Sequence, residues 1–444
     1  ARGVTVHPLI SRVVHLGNTT APPTTAECLA AFGARCYGPT QIETAYDEAP
    51  LFAHGIDGSG ETIVVVDAFG APDIRTDLAH FDQTYGLATP GLTILPYGTV
   101  PAFNPTTGTM AGWAEETTLD VEYSHTTAPG ANILLVETAT PETLGVTGFP
   151  TIVNAETYVV DHHLGDVITQ SFGASEQTFE SPRTVAPLRT AYLNAQFRGV
   201  TVLAASGDTA AAGAKTLTDV SYFPYAVVGW PASDPLVTGV GGTQLNLGTT
   251  GAQVAPQDVW NTTTAAGAPE GGGGGYSDVF TRPTYQSSVA STVGYRRGVP
   301  DVSMSASCAG FVDVYITGLA TGGGWFGICG TSEASPLFSG IVALTDQVAH
   351  HPVGFIDPAL YEMKAANDPG IVDVTQGNNS THFTTPTTGQ TVDIAGYSAS
   401  AGYNLATGIG TVDAAQFVPD LAAAARHTPR WTFYLLSPFF LPTP

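Results

Sequence analysis

The chain has 444 residues, of which 43% are hydrophobic, enough for a full core in one large domain or two or three ordinary ones. Charged residues make up only 12%, about half of the ~25% usual in soluble proteins, and Asp and Glu outnumber Lys and Arg 38 to 14, for a formal charge of −24. A chain this anionic repels nucleic acid and anionic membranes, so neither is expected as a partner; near its sequence pI of about 4.5 the self-repulsion fades, which favours an acidic working environment.

Residues 1–27 show no sustained period and run into a Thr-Thr-Ala-Pro-Pro-Thr-Thr linker, so they read as an N-terminal arm. From Glu61 the chain alternates β-rich runs with helical segments: 62–66, a segment near 74–85, 92–95, a helix over 112–126, 132–136, a helix near 152–163, 167–169, a long helix near 183–197, and 200–204. Short continuous apolar strands separated by helices predict a parallel sheet covered on both faces. After Asp208 the texture turns to Gly, Thr and Pro with short strands such as 237–243. Gly271 to Gly275 reads either as a flexible linker or as backbone that approaches a ligand closely. The segment Trp431 to Pro444 is apolar but broken by prolines, which suits a docking tail better than an anchor, and no run reaches the ~18 residues of a membrane span.

Four cysteines fall in two groups with no metal-type Cys-x-x-Cys spacing. Three connectivities are possible and free buried thiols are an alternative; the local pairing, Cys28–Cys36 and Cys308–Cys329, is the reading adopted. Disulfides, abundant Ser, Thr, Gly and Pro and only two lysines, Lys215 and Lys364, indicate a secreted, extracellular protein, expected as a monomer. No signal peptide opens the sequence, as expected of a processed form. Asn18, Asn261, Asn378 and Asn379 begin glycosylation sequons, usable only where the source glycosylates.

The stretch Gly330-Thr331-Ser332-Glu333-Ala334-Ser335-Pro336 follows two strand-like runs and opens an apolar helical run, Leu337 to Val348. Ser332 is thereby expected at a helix N-terminus, where unpartnered N–H groups favour an oxyanion. A plain N-cap serine is the alternative. A serine nucleophile needs a base, and the eleven histidines form no readable motif: neither His-Gly-Thr-His nor His-Glu-x-x-His occurs, and the doublet His162-His163 reads as a helix end. Carboxylates offer a base instead. Glu116 and Asp120, four apart, share a helix face, and like charges so close tend to share a proton. Taken alone, such a pair is as readily a solvated acidic face. Such a dyad works in acid, where an imidazole of pKa ~6.5 is protonated and a glutamate near ~4.3 is poised. Asp208, in Ala205-Ser206-Gly207-Asp208-Thr209 at the carboxyl end of an apolar strand, is either a turn former or a protonated carboxylic acid that donates to an oxyanion.

Together these pieces resemble the sedolisin family of serine-carboxyl peptidases over roughly 28 to 413. Ser332 stands in the family's nucleophile motif, Glu116-x-x-Leu119-Asp120 is similar to its base pair, and Ser206-Gly207-Asp208 to its oxyanion aspartate. Phe223-Pro224, Val240-Gly241-Gly242-Thr243, Tyr276-Ser277 and Val299-Pro300-Asp301-Val302-Ser303 resemble it as well. The resemblance implies a subtilisin-like α/β fold: a mostly parallel central sheet with helices on both faces in a single large catalytic domain, 28–426, with the arm 1–27 before it and a tail 427–444 after it. It implies an acid endopeptidase acting on protein or peptide substrates, with Ser332 as nucleophile, Glu116 as base, Asp120 orienting it and Asp208 in the oxyanion hole. By the same likeness the chain is expected to be a mature form, without the family's large pro-domain. Tripeptidyl-peptidase activity is the runner-up. A pepsin-like enzyme would need two Asp-Thr/Ser-Gly motifs where the chain has only Asp208-Thr209-Ala210, and a binding protein on this fold would not need Ser332, Glu116 and Asp208 together. Asp67, closing the first strand, is either a turn residue or a support for Asp120, and Ser171-Phe172-Gly173 resembles the segment that pairs with substrate backbone. Two stretches near the C-terminus resemble the halves of the family's calcium site, which implies one Ca²⁺ held by Asp373, Val374, Ser400, Gly402 and Asn404. Asn404 stands where the family usually has an aspartate, which weakens the site.

Overall fold

A computed structural model of the chain describes residues 10–141, 147–216, 221–384, 389 and 391–427. The proposed docking tail therefore lies outside the described residues.

The apolar runs form one sheet: β1 (Thr62–Ala68), β2 (Leu92–Tyr97), β3 (Asn132–Thr138), β4 (Val167–Gln170), β5 (Thr201–Ala205), β6 (Thr238–Gln244), β7 (Asp258–Val259) and β8 (Val302–Ser305). Its order is β2-β3-β1-β4-β5-β6, parallel throughout, with β8 parallel and the short β7 antiparallel to β6. Strand alternation sends Ile63 and Val65 to one core and Val64 and Val66 to the other, so both faces of β1 are buried. The first core receives helix α1 (Gly108–Thr127) and helix α2 (Thr331–Ala349); the second receives helices Phe149–Asp161 and Thr190–Arg198. The fold is the subtilisin-like α/β arrangement read from the sequence.

Sheet order reverses direction at β1: the chain lays β2 and β3 on one side of it and β4 to β6 on the other. Open α/β sheets leave a crevice outside the carboxyl ends of strands at such a switch point. Asp67, the penultimate residue of β1, is buried there within a strand, not in a turn.

Three readings change. The expected long helix near 183–197 is broken into Pro182–Val185, a 3-10 turn Ala186–Arg189 and Thr190–Arg198. Pro187 explains the break, since it has no N–H for the helix ladder and its ring crowds the preceding turn. Gly271–Gly275 is buried, not a flexible linker. Its backbone pairs with the segment carrying Asp208, through Gly271 N–H to the Asp208 carbonyl at 3.0 Å and Gly273 N–H to the Gly207 carbonyl at 2.7 Å. A Cβ on Gly273 would sit 2.4 Å from the Ser206 carbonyl oxygen, so only glycine permits this approach. Within the N-terminal arm, Arg12–Gly17 is a strand paired antiparallel with Gly324–Cys329, the strand that leads into α2. Both local disulfides are formed, Cys28–Cys36 and Cys308–Cys329, the second ending one residue before Gly330. Among the described residues no helix is long and apolar enough to cross a membrane.

Candidate active site

Gly330 has φ of 146°, a backbone region that L side chains rarely adopt, and this lets strand Gly324–Cys329 turn directly into α2. The helix begins at Thr331, earlier than the sequence suggested, so Ser332 lies in its first turn and Pro336 lies inside it. Pro336 lacks the N–H that would bond the Ser332 carbonyl. In the first turn the Thr331 N–H goes to Asp208 Oδ1 and the Glu333 N–H to the Gly330 carbonyl at 2.9 Å, which leaves the Ser332 N–H, alone of these three, without an acceptor.

Helices α1 and α2 pack closely because their facing residues are small. Ser124 and Ser339 hydroxyls are 3.1 Å apart, the Thr127 hydroxyl donates to the Leu337 carbonyl at 3.0 Å, and a Cβ on Gly340 would meet Thr127 Oγ1 at 1.9 Å. Glu116, Asp120, Ser124 and Thr127 recur at helical spacing along α1, so the contact that seats Thr127 on α2 also turns Glu116 toward Ser332. Ser332, Glu116 and Asp120 are all fully buried.

Glu116 is pushed well above the usual carboxylate range, first by burial and then by the negative charges of Asp120, Asp67 and Asp208; the nearby Ser332 hydroxyl opposes the rise. Neither Glu116 oxygen nor Ser332 Oγ makes a hydrogen bond within 3.5 Å. Asp120 is also pushed up, by burial and Asp67, and lowered by the Ser171 hydroxyl and by Glu116. Ser171 Oγ donates to Asp120 Oδ1 at 2.8 Å. Asp67 is raised to about 7 by burial, with Thr117 opposing. Three buried carboxyl groups thus share one space, and their mutual repulsion limits the charge they can hold together.

Asp208 arrives from the carboxyl end of β5. Its Oδ1 accepts from Thr331 N–H at 2.7 Å and from the Thr331 hydroxyl at 2.6 Å, while the Gly207 N–H donates to that hydroxyl at 3.1 Å. Burial raises Asp208 to about 8 against the two Thr331 bonds, with the Glu270 charge adding to the rise. Its Oδ2 is buried without a partner. In the neutral carboxylic acid Oδ1 accepts from Thr331 and a proton on Oδ2 is left free to be donated.

Beside Asp208 opens a cavity of about 260 Å³. Gly173, Ser206, Val228 and Trp230 line it, Ile10 and Ser11 of the arm form part of its wall, and Asp208 is its only ionisable lining residue among the described residues. Gly173 belongs to the segment expected to meet substrate backbone.

A serine in the first turn of a buried helix, a buried carboxyl pair and a clamped third carboxyl therefore meet at the carboxyl ends of a parallel sheet. The subtilase family model matches residues 104–367, more than half of the chain. Kumamolisin of Bacillus sp. (strain MN-32) is 31% identical over 388 residues, 84% of this chain and 62% of that protein. Sedolisin of Pseudomonas sp. (strain 101) is 29% identical over 395 residues, 88% of this chain and 62% of that protein. The solved structure of Pseudomonas sedolisin, a serine-carboxyl proteinase complexed with two molecules of pseudo-iodotyrostatin, superposes with a TM-score of 0.72 at 26% identity over 89% of this chain and 99% of that one. The chain belongs to the sedolisins, within the subtilase family. It spans about six tenths of the length of these two curated relatives.

In this sedolisin the residues expected to hold calcium do come together, but their hydrogen bonding does not fit a cation. Asn404 Oδ1 accepts from Ala406 N–H at 3.1 Å, Thr407 N–H at 3.0 Å and the Thr407 hydroxyl at 3.1 Å. Its Nδ2 therefore faces inward, 3.2 Å from the Ser400 carbonyl and 3.5 Å from the Val374 carbonyl. Asp373 accepts from the Lys364 ammonium and, at 3.2 Å, from the Gly402 N–H. Of the five oxygens expected to face a cation, the Asn404 Oδ1 is turned into its own loop and the Asp373 carboxylate is paired with Lys364.

Sequence reasoning also missed two polar supports of this sedolisin site. Thr331 was read only as part of a motif, though it holds Asp208 by two bonds. Ser171 was assigned to the substrate wall, while its hydroxyl serves Asp120. Their side chains become partners only when β4, β5 and α2 converge, and local pattern carries no trace of that.

Proposed function

We propose that the chain is a secreted acid endopeptidase that cleaves protein or peptide substrates through an acyl-enzyme on Ser332. The observation that carries this reading is the burial of Ser332 against Glu116 and Asp120 with Asp208 clamped to the adjoining residue, Thr331. Kumamolisin and the serine-carboxyl proteinase sedolisin support it as relatives. The two disulfides suit an oxidising compartment.

In this mechanism Glu116 takes the Ser332 proton as Oγ attacks the scissile carbonyl, and later returns it to the leaving amine. Asp120, held by Ser171, shares the charge of the pair. The oxyanion receives the proton-bearing Oδ2 of Asp208 and the Ser332 N–H in the first turn of α2. No histidine is needed. The cavity beside Asp208, lined by small and apolar residues, suits an apolar substrate side chain.

Incubation with internally quenched peptides at pH 3 to 5, with products read by mass spectrometry, tests the reading. Internal cleavage is the expected result. Release of tripeptides alone would favour the exopeptidase mode suggested by the relative named tripeptidyl-peptidase sed4, from Aspergillus fumigatus, 32% identical over 281 residues covering 56% of this chain and 43% of that protein. No cleavage by correctly folded protein would overturn the proposal.

A further inference from the structure

The residues that resemble a calcium site form a closed junction instead. Asn404 is 3% exposed and sits in a tight loop closed by mutual backbone bonds with Gly408, at 3.0 and 2.9 Å. The loop aims two N–H groups and a hydroxyl at one side-chain oxygen of residue 404. That fixes the orientation of the amide: turned the other way, its NH₂ would face the N–H groups of Ala406 and Thr407, donor against donor.

With the oxygen so engaged, the only atom residue 404 can present to the junction is a nitrogen that donates. It faces the carbonyls of Ser400 and Val374, two of the oxygens a cation would need. An aspartate in the same place would keep one oxygen for the loop and turn the other toward these carbonyls. Three partial or full negative charges would then converge in a buried space, a situation that a divalent cation relieves. The amide removes that need, because its N–H bonds link the two halves directly. The remaining carboxylate is neutralised as well, since Lys364, one of only two lysines in the chain, reaches it from helix Asp357–Ala366.

We propose that this protein has replaced calcium at the junction of its C-terminal loops with its own donors, the Asn404 amide and the Lys364 ammonium, and is stable without the metal. Charge and valence agree: one ammonium and one N–H donor stand where a cation would bridge the same carbonyls and carboxylate. A protein-borne donor cannot be lost to a chelator or diluted away, whereas a calcium site loses affinity in acid as its carboxylates protonate.

The experiment is thermal melting of the wild-type chain at pH 4 and pH 6 in 5 mM CaCl₂ and in 5 mM EGTA, with metal content measured after purification from calcium-containing medium. The expected result is a Tm that is the same in both and less than 0.1 calcium per chain. A Tm several degrees higher in calcium, or a stoichiometric ion in the purified protein, would overturn the proposal. Asn404→Asp supplies the second arm: it should melt lower in EGTA and recover in calcium at pH 6, because it restores the missing ligand. Lys364→Met should melt lower in both buffers and gain nothing from calcium, since Asn404 still closes the site. Calcium rescue of Lys364→Met would also count against the proposal, for it would mean that the lysine merely masks a working cation site. If Asn404→Asp fails to fold, the wild-type melts and metal content still decide.

Discussion

Thr331 gives both its backbone N–H and its hydroxyl to a single oxygen of Asp208, at 2.7 and 2.6 Å, and leaves the other oxygen buried without a partner. The residue before Ser332 thereby fixes which oxygen of Asp208 is available for a proton. Because Thr331 is the first residue of α2 and Ser332 the second, Asp208 and Ser332 are set by the same turn of helix.

Activity should fall on the alkaline side as Asp208 ionises near 8, because a carboxylate repels an oxyanion instead of donating to it. The Thr331 bonds stabilise the ionised form, so Thr331→Val, which removes the hydroxyl, should move that limb to higher pH, and Asp208→Asn should flatten it. The acid limb belongs to the first proton lost by the carboxyl cluster, which leaves while its neighbours are still neutral and escapes their repulsion. The full profile of kcat/KM against pH checks both limbs. A wild type most active at pH 7 to 8, with a limb rising through ~6.5, would point to histidine and sink the carboxylate base.

Ser332→Ala and Glu116→Gln should each cost at least ~10³ in kcat/KM, and the double variant should be little worse than either alone, since the two act as one unit. Near-UV circular dichroism should confirm an unchanged fold. Independent, multiplicative losses would mean that Glu116 does not act on Ser332.

Much of this was legible in the sequence, and the reasons are physical. β1 and β3 to β5 announce themselves because a strand buried on both faces must be apolar throughout. Ser332, Glu116, Asp120 and Asp208 were legible because nucleophile, dyad and strand end each have a local pattern, and their conjunction is rarer than any one of them. What stayed hidden depends on contacts across the fold. The break at Pro187 could have been read, since proline inside a helical pattern is a local signal. The direction of the Asn404 amide could not, because it is decided by N–H groups that only the folded 404–408 loop brings together.

Ser171→Ala removes a 2.8 Å bond to Asp120 Oδ1 and leaves a buried carboxyl short of a donor. A cost of ~1–3 kcal/mol, or roughly 5- to 150-fold, is expected in kcat. Since that hydroxyl lowers Asp120, its loss should also shift the acid limb of the pH profile upward. KM should change little. An unchanged acid limb together with a raised KM would assign Ser171 to substrate binding instead of to the dyad.

Stability should be greatest in acid and decline toward neutrality, because most perturbed carboxyl groups in this chain are perturbed upward. Burial raises Asp67, Glu176 and Asp313 to about 7 and Asp208 to about 8, and drives Glu48, Glu156, Glu333 and Asp346 up as well. In the unfolded chain the same groups titrate near ~4. Below ~4 both states hold these protons and the stability is fully present; as pH rises from there the unfolded state releases them while the folded state keeps them, so unfolding is favoured progressively until the folded groups ionise. The 38 acidic residues against 14 basic ones leave few cations to compensate, and the buried pairs Arg189–Asp234 and Arg297–Asp301 occupy two of those. Calorimetric melts from pH 3 to 8 should therefore show Tm highest near pH ~4 and falling steadily above it, with activity-dead Ser332→Ala used to prevent self-digestion. Glu156→Gln, in helix Phe149–Asp161 away from Ser332, should lessen the decline without altering the pH profile of cleavage, since burial alone raises that group. A Tm that climbs between pH 4 and pH 7 would show that these carboxyl groups are ionised and compensated in the folded protein, and would remove the physical basis for the proposed action in acid.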